Sequence, residues 1–187
     1  MAKMISTEKL FVNSRLQYYF HKWFGFGPFL EKLPASTYKS ILEIGSGVGF
    51  TTRMIRVKYP VANIVATDFD EDSIRIAQKN NRLHSTTFMQ ADATKLPFSD
   101  NEFDAAFSVL TLHHIDQFEK AISELVRVVK SGGDIYIMDL SARLNFRKEL
   151  TPGVFMKTDL LQIGEKYGLK MKDKGGMYLF SVQGSKL

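Results

Sequence analysis

The sequence predicts an α/β fold: a doubly wound, mostly parallel seven-stranded sheet with a C-terminal antiparallel hairpin and helices on both faces. Three observations predict it. From Lys39 to Leu140 short apolar runs alternate with helical patterns, the signature of repeated βαβ units. The first run, Ser40–Ile44, passes through Gly45-Ser46-Gly47-Val48-Gly49 into a helical pattern containing Met54 and Ile55, giving strand, glycine turn and helix in order. The next two runs are each followed by a carboxylate, Asp68 and Asp92, at strand ends where doubly wound sheets bind ligands. A chain of 187 residues, 44% hydrophobic, suffices for one such domain and is short for two.

The strands are read at Ser40–Ile44, Ala62–Thr67, Thr86–Gln90, Phe103–Leu110 and Gly133–Asp139. One helix begins after Asp70, placed to cap it with Glu71 and Asp72 in its positive first turn, and runs to about Arg82. The clearest helix spans Gln117 to Val129, where Phe118, Ile122, Leu125 and Val129 recur at three- and four-residue spacing. Asp116 and Glu119 form a capping-box pattern before it, and Ser131-Gly132-Gly133 stops it. A further helix is expected at Thr158–Tyr167, then strands Lys170–Lys174 and Met177–Gln183 around Gly175-Gly176, which reads as a hairpin.

Residues 1–38 are set apart as a helical, aromatic-rich segment, leaving 39–187 as the ligand-binding domain. Tyr18, Tyr19, Phe20, Trp23, Phe24, Phe26 and Phe29 need an apolar cover. They either pack the segment onto the sheet or form a lid over an apolar substrate, and packing is the commoner use of such a stripe.

Composition excludes several chemistries. With no cysteine there is no disulfide, thiolate metal site or cysteine nucleophile. The four histidines, His21, His84, His113 and His114, contain no His-x-x-x-His pair, and two adjacent ones on extended chain point to opposite sides, so no metal is expected. With no run of eighteen apolar residues and no signal-peptide pattern, a soluble cytoplasmic protein without a membrane span is expected. The net charge of +5 comes entirely from residues 141–187, which hold 9 basic and 4 acidic side chains against 16 of each before them. Clustered cations fit a nucleic-acid or acidic partner, but Glu149, Asp159, Glu165 and Asp173 intersperse them, which favours a solvated face. Nothing in the sequence fixes an oligomeric state.

The glycine turn lets a ligand lie against the backbone and meet free N–H groups at a helix start. Asp68, 19 residues beyond Gly49, suits a carboxylate accepting from both hydroxyls of a ribose. Asp92 with the Ala93 N–H suits the exocyclic amine and ring nitrogen of adenine. The ordered set Leu42-Glu-Ile-Gly-Ser-Gly-Val-Gly49, Ala66-Thr-Asp68, Gln90-Ala-Asp-Ala93, Leu96-Pro-Phe98, Phe103-Asp104, His113-His114 and Ser131-Gly-Gly133 resembles the class I S-adenosylmethionine-dependent methyltransferases. Within them it is similar to the small-molecule, quinone C-methyltransferase type. The resemblance covers a little over half the chain. It implies that Glu43 lies near the methionyl end of S-adenosylmethionine, that Gly45, Ser46, Gly47 and Gly49 line it, and that Asp68 holds the ribose. It also implies that Asp92 and Ala93 read the adenine, and that Phe69 and Leu110 flank the adenine and methionine portions.

A nicotinamide-dependent oxidoreductase would need a third fingerprint glycine at position 50, which is Phe50. Its Tyr-x-x-x-Lys pair would follow the loop, whereas Tyr18 and Lys22 precede it. Also compatible with the sequence are a methyltransferase acting on RNA or another acidic macromolecule and a noncatalytic nucleoside-binding protein. Methyl transfer needs mainly positioning of the reactants. An acidic acceptor also needs a base, for which His113 or His114 is the candidate, no catalytic residue being fixed. Ser108-Val-Leu-Thr-Leu-His113 lacks the acidic or amide residue followed by two prolines of enzymes that methylate exocyclic amino groups. A small molecule methylated on oxygen, carbon or a simple amine is therefore the expected acceptor.

Overall fold

A computed structural model describes residues 26–35, 37–140, 157–173 and 179–186. The elements are α1 (Phe26–Glu31), β1 (Ser40–Ile44), α2 (Phe50–Lys58), β2 (Asn63–Asp68), α3 (Glu71–Asn80), β3 (Thr86–Gln90), β4 (Phe103–Val109), a 3₁₀ turn (Leu112–His114), α4 (Phe118–Val128), β5 (Val129–Leu140), α5 (Lys157–Lys166), β6 (Leu169–Asp173) and β7 (Leu179–Lys186). The seven strands form one sheet in the order β3-β2-β1-β4-β5-β7-β6. β3, β2, β1, β4 and β5 run parallel, and β7 lies antiparallel between β5 and β6. The predicted fold class, including its antiparallel C-terminal pair, is the observed one. Gly175-Gly176, predicted to turn that pair, lies outside the described residues.

The parallel strands at the centre of the sheet are buried on both faces, which is why their sequences read as short, largely apolar runs without strict alternation. Leu42, Ile44, Ala106, Ile135 and Ile137 pack under α4 and α5 with Ile122, Leu125 and Leu160. The opposite faces of the same strands, through Ile41, Ala105, Phe107, Tyr136 and Met138, pack under α1 and α2 with Phe26, Phe29, Met54, Ile55 and Tyr59. Each large apolar side chain so buried contributes about 1.5–3 kcal/mol. Phe26 meets Phe107 edge-on at 6.2 Å, and Phe29 meets Tyr136 at 6.4 Å. These two members of the aromatic stripe are therefore core residues, while Tyr18, Tyr19, Phe20, Trp23 and Phe24 lie outside the described residues.

Three local expectations change. Asp70 stands at the N-cap of α3 but its side chain makes no capping bond to the backbone of the first turn; its carboxylate accepts from the Ser73 hydroxyl at 2.9 Å. The capping box at α4 is not formed, because the helix starts one residue later, with Gln117 at its N-cap, and Glu119 pairs with Lys166 of α5. Finally, α4 passes directly into β5 at Val129, and the glycines lie inside a bulge. Phe103 pairs with Val129 but Ala105 pairs with Asp134, so residues 130–133 are extruded from the ladder. Gly132 takes φ +78°, and a Cβ on Gly133 would lie 2.7 Å from the Asp104 carbonyl oxygen.

Of the C-terminal cations that are described, Lys166 pairs with Glu119, Lys186 donates to Asn101 Oδ1 and the Val129 carbonyl, and Lys170 is exposed. The first two are tied to the fold. Arg143, Arg147, Lys148 and Lys174 lie outside the described residues. Among the described residues no helix is long and apolar enough to cross a membrane.

Candidate functional site

The parallel register brings three turns together at the carboxyl ends of β1, β2 and β3, where Ile44 pairs with Thr67 and Asp68 with Gln90. The turns are also bonded to one another. The Ser46 N–H donates to the Thr67 carbonyl at 2.9 Å, and the Ala91 N–H to the Asp68 carbonyl at 3.0 Å. The Gly47 N–H donates to Asp68 Oδ2 at 2.8 Å, and the Asp70 N–H to Oδ1 at 2.8 Å. Asp68 is thus oriented by backbone donors on both carboxylate oxygens, fewer than the four lone-pair sites an ionised carboxylate offers. Burial raises its pKa more than these donors lower it.

The three turn glycines are needed for different reasons. Gly45, Gly47 and Gly49 all have positive φ, at 69°, 53° and 86°. A Cβ on Gly45 would collide with the Thr111 side chain, and one on Gly49 would lie 2.7 Å from Asn81 Nδ2 and 2.9 Å from the Phe88 ring. These two answer to the protein's own packing rather than to the ligand clearance expected from sequence. Only Gly47 has nothing within 4 Å of that position, so it is here that the backbone is open to a ligand. Beside it the Ser46 hydroxyl is buried with no hydrogen-bond partner among the described residues.

Glu43 projects from β1 toward α2 and is fully buried. Its carboxylate accepts from the hydroxyls of Thr51 and Thr52. Burial pushes its pKa up to about 7, against the lowering effect of those hydroxyls, with Asp68 adding repulsion. At neutral pH this acid is therefore poised to gain or lose a proton. Further along the edge, Phe69 is 45% exposed. Asp92 is exposed and its Oδ1 accepts from the Thr94 N–H and hydroxyl, both at 2.8 Å, whereas the Ala93 side chain is buried.

At the end of β4, Leu110 has φ +52°, a left-handed conformation that strains a non-glycine residue. Its N–H is bonded to the Met138 carbonyl at 2.8 Å. The bend carries the chain into Thr111, whose hydroxyl donates to Val109 O at 3.0 Å and lies 3.4 Å from Ile44 O, fastening this corner to the glycine turn. The two histidines then sit on a 3₁₀ turn. On this turn their rings lie 3.9 Å apart between centroids instead of pointing to opposite sides, because the extended backbone that expectation assumed is absent. His113 is buried, with Nδ1 2.5 Å from Asp139 Oδ1. Burial and the neighbouring His113 push the His114 imidazole down to about 4. Among the described residues no group of three or more His, Cys, Asp or Glu could hold a metal ion.

Sequence reading missed Asp139, Thr111 and Asn81. Asp139 ends the fifth parallel strand, the same kind of position that drew attention to Asp68. Asn81 donates to Val48 O at 2.8 Å and Ala77 O at 3.0 Å while accepting from Arg53 at 2.5 Å, and so ties the glycine turn to α3. No local pattern marks it.

Comparison with known proteins agrees with this geometry. Over 112 residues the chain is 33% identical to a demethylmenaquinone methyltransferase of Thermus thermophilus, covering 59% of this chain and 49% of that protein. It is 30% identical over 105 residues to a fatty-acid O-methyltransferase of Mycolicibacterium smegmatis, covering 56% of this chain and 38% of that one. The chain thus spans half or less of the length of these relatives. The crystal structure of a SAM-dependent methyltransferase from Aquifex aeolicus superposes with a TM-score of 0.78 over 97% of this chain and 98% of that one, at 18% identity, which shows a shared fold. The methyltransferase domain family matches residues 42–137, an interval that runs from β1 to β5 and contains all three turns, and the chain belongs to that family.

Proposed function

We infer that the chain is an S-adenosylmethionine-dependent methyltransferase acting on a small-molecule acceptor. The observation that carries this reading is the linked pair of turns in which Gly47, open on its side-chain face, donates to Asp68 at 2.8 Å. A nucleoside laid along the sheet edge would meet the free oxygen lone pairs of Asp68 with its ribose hydroxyls, Phe69 with its base, and Asp92 with the Ala93 N–H at the base edge. Its methionyl end would reach Gly45, Ser46, Gly47 and Gly49. Ser46 Oγ, buried with no partner among the described residues, fits this role because an unpaired buried hydroxyl is costly until something bonds to it. Glu43 supports the turn from beneath through Thr51 and Thr52 and faces the cationic end of the cofactor. Leu110 flanks the methionine portion. When bound, the cofactor supplies an activated methyl group; the residues orient it and shield it from water.

The acceptor class rests on the matched relatives, whose names give a demethylated quinone and a fatty acid as substrates. The test has two parts. Isothermal titration of S-adenosylmethionine should show Asp68→Ala weakening affinity by about 1.5–3 kcal/mol, the size of hydrogen bonds to a charged group; unchanged affinity sinks the cofactor reading. Labelled methyl transfer to demethylmenaquinol, a long-chain fatty acid and RNA then assigns the acceptor. Label in RNA alone refutes the small-molecule reading, and cofactor binding without label in any acceptor favours a noncatalytic nucleoside-binding protein.

A further inference from the structure

We propose that His113 is the base that takes the acceptor's proton, and that Asp139 is the positioning residue that fixes its ring and tautomer. This rests on the methyl-transfer reading above. Asp139 lies at the carboxyl end of β5, the fifth strand end on the ligand edge, and is fully buried. A carboxylate in such a place must be satisfied by donors. The Leu112 N–H donates to Oδ2 at 3.0 Å, and His113 Nδ1 lies 2.5 Å from Oδ1. Because one oxygen is held by backbone, the carboxylate cannot rotate away from the ring. An ionised carboxylate only accepts, so the proton of a neutral imidazole resides on Nδ1 and Nε2 is left with its lone pair.

The rest of the corner suits that task. His113 belongs to the turn that Thr111 fastens to the glycine loop, so the ring is carried by the same frame that holds the proposed cofactor cradle. The ring keeps 9% of its side-chain surface exposed, and Nε2 makes no hydrogen bond to the described residues. His114, packed beside it, stays neutral at pH 7, so a proton arriving at His113 meets no second cation. In the reaction the acceptor's O–H or activated C–H bond breaks, its proton going to Nε2 and its electron pair forming the bond to the methyl carbon. The electron pair of the old carbon–sulfur bond stays on sulfur. Asp139 stabilises the imidazolium until it returns the proton to water.

The test uses the full chain with S-adenosylmethionine and demethylmenaquinol as probe, on wild type, Asp139→Asn, His113→Gln and His113→Gly. Calorimetry of cofactor binding, expected within about twofold of wild type for all four, separates failure of this inference from failure of the cofactor site. Long-range ¹H–¹⁵N spectra of wild type should show His113 protonated on Nδ1 and bare at Nε2, and Asp139→Asn should lose that preference. The kcat should fall about 10²–10⁴-fold in His113→Gln and at least roughly tenfold in Asp139→Asn with KM little changed. Added imidazole should restore about tenfold or more of the activity lost in His113→Gly. A wild-type ring protonated on Nε2 overturns the proposal whatever the acceptor, as does a His113→Gln enzyme with undiminished kcat or a folded His113→Gly enzyme that imidazole does not rescue.

Discussion

Replacing Glu43 by glutamine should make the protein more stable, by an amount that grows with pH. In the folded chain burial holds this carboxyl at a pKa of about 7, against its ordinary value of 4.5. An acid whose pKa is raised by folding binds its proton more tightly in the folded state, so the associated stability is complete below about pH 4.5 and is lost as pH rises toward 7. At about 1.4 kcal/mol per pH unit the loss amounts to about 3 kcal/mol by pH 8. The glutamine side chain keeps the shape and still offers an oxygen to Thr51 or Thr52, but carries no charge to desolvate. Urea unfolding of wild type and Glu43→Gln from pH 4 to 8 should give curves whose difference is smallest at pH 4. It should widen by about 3 kcal/mol in favour of the variant. A difference that does not vary with pH would refute the reasoning, since a constant offset reports only the changed hydrogen bonds. The same group links pH to function. If the cationic end of the cofactor approaches Glu43, it favours the ionised form, so binding should release protons. Titrations in buffers of different ionisation enthalpy at pH 6.5 should detect that release.

The unequal roles of the glycines give a second expectation: Gly45→Ala should lower the unfolding temperature well beyond Gly47→Ala. The first adds a collision with Thr111 to the strain of a positive φ and costs about 2 kcal/mol or more, the second about 1 kcal/mol. Gly47→Ala should instead weaken S-adenosylmethionine binding, which calorimetry reads. At the N-terminal side, Phe26→Ala should cost about 3–5 kcal/mol because the ring is fully buried against Phe107. Deleting residues 1–30 should therefore lower thermal stability together with turnover, and a truncated protein of undiminished stability would show that these rings are dispensable to the core.

The parallel half of the sheet was legible in the sequence because its short, largely apolar or β-branched runs alternate with helical patterns, the central strands being buried on both faces. Ser40–Ile44 and Thr86–Gln90 are read to the residue, and the other parallel strands differ mainly at their ends. The three strand-end turns were legible for the same reason, since glycines and carboxylates interrupt those runs. What could not be read depends on partners far away in sequence. The collision reserved for Gly45 is with Thr111, 66 positions on, and Asn81 reaches back to Val48. The His113–Asp139 pair needed the 3₁₀ turn, which no periodicity announces in three residues. The cap expected at Asp70 failed because its carboxylate has a competing partner in Ser73 that a local pattern does not weigh.

The position of β7 between β5 and β6 bears on how the protein is made. Until residues 179–186 have been synthesised, β5 is an unprotected sheet edge, although its Ile135 and Ile137 already belong to the core. A nascent chain that has formed β1 to β5 thus presents an apolar strand with unsatisfied N–H and C=O groups to any neighbouring polypeptide. Strand β6 cannot shield it, because in the finished sheet it bonds only to β7. Interrupted synthesis should consequently yield aggregation-prone fragments, and β7 closes the sheet as well as completing it.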